Sequence, residues 1–85
     1  MERLEDMKNI GKVVAQQLIE VGIDTPAKLK EIGAKAAWLK IQSIDESACI
    51  HRLYSLEGAI EGIKKTQLDY ETKIELKQFY NEHKL

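Results

Sequence analysis

The chain has 85 residues, 13 Lys/Arg against 14 Asp/Glu, and a formal net charge of −1 at pH 7. That length leaves room for one small domain over residues 1–85, and 44% hydrophobic with 32% charged content marks a folded globule and excludes a disordered segment. Residues 1–43 carry seven basic and six acidic side chains and residues 44–85 carry six and eight, so neither half is a basic domain built for strong duplex binding.

Apolar residues recur at three- and four-residue spacing and never settle into a two-residue alternation, so the sequence reads as helical nearly throughout. A first short helix is expected over residues 2–8. The next starts near Gly11, sets Val14, Leu18 and Val21 on one stripe, and stops at Gly22, a residue suited to the position after a helix. Ile23 follows as an apolar plug. Thr25 then suits an N-cap, Pro26 the first helical position, and Leu29 and Ile32 the buried face. Gly33 ends that short helix. Another runs from Ala34 to about Ser43, with Trp38 and Ile41 inward, and small alanines at 34, 36 and 37 admit a close neighbour.

Asp45 is expected to open a long helix, with Glu46 at its positive end. Its core stripe is Cys49, Leu53, Leu56, Ile60 and Ile63. Gly58 and Gly62 lie within or near the end of it, each costing about 1 kcal/mol against alanine. Such a cost points to close packing against another element. A turn at residues 64–66 leads into a last, highly charged helix over 67–83, with Leu68, Ile74, Leu76, Phe79 and Tyr80 as an irregular apolar face.

Two stretches, 7–15 and 29–37, repeat one plan 22 positions apart. Large apolar residues match at the first and fourth places, glycine at the fifth (Gly11, Gly33) and alanine at the ninth (Ala15, Ala37), with Lys8 answering Lys30. Glycine there permits a positive φ and a close backbone approach. The amides that follow have no intrahelical partner and sit at the positive end of the dipole. Such a corner either holds a phosphate oxygen or simply turns one packed helix into the next.

The run Asn9-Ile10-Gly11 to Ala15, with Leu18, Gly22-Ile23, Thr25 and Leu29, resembles a helix-hairpin-helix element. Together with Gly33-Ala34 and Leu53-Tyr54-Ser55-Leu56-Glu57-Gly58-Ala59-Ile60, it is similar to the C-terminal domain of the TfoX/Sxy competence regulators over residues 7–76. The resemblance implies an all-α domain of about five helices, tandem hairpin corners packed on a long central helix, with no known catalytic activity and a bacterial regulatory role. In longer members it follows a separate N-terminal domain, so a free-standing copy is expected here. DNA-binding hairpins of this kind carry glycine where this chain has Asn9. The second copy has Glu31 there, a negative charge beside any phosphate.

The candidate DNA-contacting residues are therefore Lys8, Asn9, Ile10, Gly11 and Lys12, by capture of a phosphate on backbone amides next to two lysines. Gly22, Thr25, Pro26 and Gly33 are read as structural corners. Trp38 and Tyr54 are either core residues or partner anchors. Lys64-Lys65 reads as a solvated turn. His51 and His83 lack a second ligand at helical spacing, and no nucleophile, phosphate-loop or dinucleotide motif occurs. Glu57 and Glu61, one turn apart, read as a solvated pair and not as an acid and base. The reading is thus a non-enzymatic module with no metal, cofactor or small-molecule substrate. Its expected partner is a protein or a second copy, with weak DNA-backbone contact as the alternative. A lone Cys49, no apolar run near ~20 residues and no signal core predict a cytoplasmic, non-membrane protein.

Overall fold

Helix-spaced apolar residues draw the chain into five helices around one indole. In the computed structural model, which describes residues 3–85, these are α1 (Lys12–Glu20), α2 (Pro26–Ile32), α3 (Ala34–Gln42), α4 (Ile50–Glu61) and α5 (Tyr70–His83). Single 3-10 turns occupy Leu4–Asp6 and Lys65–Gln67, and no strand occurs among the described residues. The fold is all-α. α4 is the spine: it packs on α2, α3, α5 and the Lys65–Gln67 turn, while α1 leans on α3.

Trp38, Leu18, Leu29, Ile41, Leu53 and Leu56 are fully buried and form the centre of the core. The Trp38 indole Nε1 donates to the Cys49 carbonyl at 3.1 Å, and its ring meets Phe79 and Tyr80 edge-on at 6.2 and 5.6 Å. A buried indole needs such a partner, because an unbonded N–H inside the core is costly.

The helix ends follow their local chemistry. Thr25 caps α2 by accepting from the Lys28 amide at 3.1 Å, and Pro26 is its first residue, buried. Gly22 follows α1 at φ 89°, with the Ile23 amide on the Leu18 carbonyl at 2.8 Å and the Gly22 amide on Ile19 at 3.0 Å. This is a Schellman closure. Gly62 repeats it after α4, with the Ile63 amide on Gly58 at 2.9 Å. Gly33 joins α2 to α3 in a single residue at φ 86°.

Several expectations are corrected. The first helix is only the turn Leu4–Asp6, and Glu2 lies outside the described residues. Asp45 does not open α4: residues 45–48 form a turn, and Cys49, half-buried, is the N-cap and not a member of the core stripe. The Asp45 side chain accepts from four donors around it, which holds the chain in a turn where a helix would have used the same carboxylate as a cap. The last helix starts at Tyr70, because Asp69 caps it by accepting from the Thr72 amide at 2.8 Å. The glycine repeat is also unequal, since Gly11 sits at φ −93° and needs no glycine freedom.

Candidate functional site

The first hairpin takes its left-handed residue at Asn9, with φ 70°, two positions before Gly11. Asparagine tolerates that region better than other residues with a Cβ. Its side chain then reaches across the molecule: Nδ2 donates to the Ile63 carbonyl at 2.9 Å, and Oδ1 accepts from the Lys65 amide at 3.0 Å. Gly58 makes the seat, because a Cβ there would stand 2.5 Å from Asn9 Nδ2 and 2.9 Å from the Ile63 oxygen.

The five candidate contact residues therefore divide. Ile10 is a buried anchor and the Asn9 amide group is engaged in the clamp, whereas Lys8, Gly11 and Lys12 are exposed. The clamp also ties the backbone at Lys65 to this corner, which joins segments 56 positions apart. Sequence spacing gave no sign of that convergence. Acidic Asp6 and Glu61 share the hollow that Lys8 and Lys30 line, so the corner is of mixed charge.

A second feature lies on the outer face of α1. Val13 is 68% exposed and Ile44 is 48% exposed, and they line one shallow groove with Lys12, Gln16, Gln17 and Glu20. Asp45 holds its floor in place. Its carboxylate accepts from Gln17 Nε2 and Arg52 Nη1, both at 2.8 Å, and from the Ser47 amide and hydroxyl. The Ser47 hydroxyl, then Arg52 and Gln17, hold the Asp45 carboxyl well below the usual carboxylate range. The only sequence sign of this groove was an apolar Val13 lying off the α1 core stripe.

A third cluster joins α3, α4 and α5. A hydrogen bond with Glu61, reinforced by partial burial, pushes Glu57 up to about 7. Across from it, Lys35 Nζ pairs with Glu75 at 2.6 Å. Lys35, Glu57 and Glu75 line an open hollow together with Thr72 and Leu76. His51 lies edge-on to Tyr54 and His83 stacks on Phe79. Among the described residues no three His, Cys, Asp or Glu converge on a metal-sized site, and no helix is long and apolar enough to cross a membrane.

Residues 1–80 fit the family model of the TfoX C-terminal domain. The chain belongs to the TfoX C-terminal domain family. Protein Sxy of Escherichia coli strain K12 is 35% identical over 78 residues, 92% of this chain but 37% of Sxy. The chain thus spans little more than a third of that curated relative. A triclinic crystal structure of an uncharacterized protein from Listeria monocytogenes superposes with a TM-score of 0.94 at 48% identity, covering 95% of this chain and 92% of that one. A tetragonal-form structure of a Listeria monocytogenes protein of unknown function gives 0.91 at 49% identity, covering 93% and 98%.

Proposed function

We propose that this TfoX C-terminal domain is non-enzymatic and regulates by docking to a protein through the outer face of α1. The observation that carries this is the Val13–Ile44 pair, exposed apolar side chains on the two walls of one groove. Apolar residues held in water by a rigid frame gain free energy when a partner covers them, roughly 25 cal/mol per Å². The rigidity comes from Asp45, which ties α1 to the turn that carries Ile44. The test is genetic complementation in the source strain with V13D/I44D, after circular dichroism shows wild-type folding. The variant is expected to reproduce the transcript profile of the deletion. Full complementation by it overturns the proposal.

A second reading has its own support: Lys8, Gly11 and Lys12 are exposed along one hairpin, and the Lys65 backbone amide is bonded to Asn9 of that hairpin, which offers backbone and lysines to a nucleic-acid phosphate. Labelled duplex DNA titrated at ~50 mM salt tests it, since phosphate contacts strengthen as salt falls. Binding lost in both K8E and G11D supports the reading, and no association at that salt removes it.

A further inference from the structure

The charges on α1 run against its own dipole. Lys12 is its first residue and Glu20 its last, no acidic side chain lies in the first turn and no basic one in the last. A helix N-terminus is partially positive and its C-terminus partially negative, so each of these charges is destabilising where it stands. Neither side chain enters an ion pair among the described residues. The two are eight positions apart, too far for the one-turn contacts that link neighbours on a helix. Yet Lys12, Gln16 and Glu20 form one row at four-residue spacing along the exposed face, with Val13 and Gln17 beside it.

That row is complementary to itself when reversed. From these observations we infer that the face is covered by a second copy of this chain, with the two α1 helices antiparallel across a two-fold axis at Gln16. Lys12 then meets Glu20 of the second copy at each end, and the opposed dipoles add to the attraction. Val13 enters the groove beside Ile44 of the second copy. The inference rests on the docking reading above and specifies its occupant.

A helix of nine residues is about 13.5 Å long, and its face is smaller than the ~800 Å² per partner of a standard interface. The dimer is accordingly weak, with a dissociation constant on the order of 100 µM.

Sedimentation equilibrium of the whole chain from about 10 µM to 1 mM at ~50 mM salt tests this, because exposed charge pairs are screened as salt rises. The wild type is expected to dimerise. Each charge reversal acts twice across the two-fold, so K12E and E20K alone each weaken association about tenfold. The double reversal K12E/E20K restores it, since the pair forms again with opposite sense. A wild type that stays monomeric to 1 mM overturns the inference, as does a folded double reversal no better than the single ones. Failure of the dimer with V13D/I44D still unable to complement replaces the second copy by another protein. Full complementation by V13D/I44D removes the docking reading itself.

Discussion

Asn9 and Gly58 are 49 positions apart in sequence, and the side chain of one occupies the space where the other lacks a Cβ. The seat explains why glycine stands inside α4, where it weakens the helix. It also explains asparagine at the hairpin's left-handed position: the residue supplies both the backbone conformation and two hydrogen bonds to the loop after α4.

G58A is expected to destabilise by about 2 kcal/mol, because the clash outweighs a gain of about 1 kcal/mol in helix propensity. N9G keeps the φ but deletes both bonds, at about 1–2 kcal/mol. Urea denaturation of G58A, N9G and the double variant measures the coupling. Removing Asn9 relieves part of the clash, so the two losses together fall short of their sum. Strict additivity sinks the account.

The two glycines of the repeat are predicted to respond differently to alanine. Gly33 sits at φ 86° and Gly11 at φ −93°, with open space around both. G33A therefore costs about 1–2 kcal/mol of backbone strain, while G11A stays within about 0.5 kcal/mol of wild type. Thermal unfolding separates them readily. Equal losses would show that the repeat is symmetric after all.

Asp45 sets the acid limb of stability. Its folded-state pKa lies below its unfolded value, so the stabilisation is present above about pH 4 and fades as pH falls through the folded value. D45N should lower the melting temperature at pH 7 and leave a shallower decline from pH 4 to pH 2. An unchanged acid limb in the variant places the acid sensitivity elsewhere.

Glu57 acts in the opposite direction. Its pKa rises from 4.5 to about 7, so the folded state holds a proton that the unfolded chain gives up. Its stabilising contribution is complete below pH 4.5 and declines as pH rises toward 7. E57Q removes that decline and raises stability at pH 8 by about 1 kcal/mol, discounted for solvent around a partly exposed pair. Denaturant midpoints at pH 5 and pH 8 decide it: a variant as pH-dependent as wild type refutes the assignment.

The helices, their order and most of their ends were legible in the residues alone. Thr25-Pro26, Gly22 and Gly33 act within a turn of themselves, and a local cap outweighs most competing influences. The Trp38, Leu53 and Leu56 core followed from spacing for the same reason: burying one face is decided by periodicity. The Leu-x-x-Leu-Glu-Gly-Ala-Ile run, residues 53–60, led correctly to the TfoX C-terminal family. Residues 45–48 form a turn although Asp45 looks like a cap locally, because Gln17 of α1 and Arg52, a full turn into α4, engage its carboxylate instead. Asn9's clamp, the meeting of Lys65 with the first hairpin, and the Val13–Ile44 groove depend on contacts 28 to 56 positions apart. Such contacts arise only when helices dock, because the free energy that selects them is gained by the assembled core and not by any single segment.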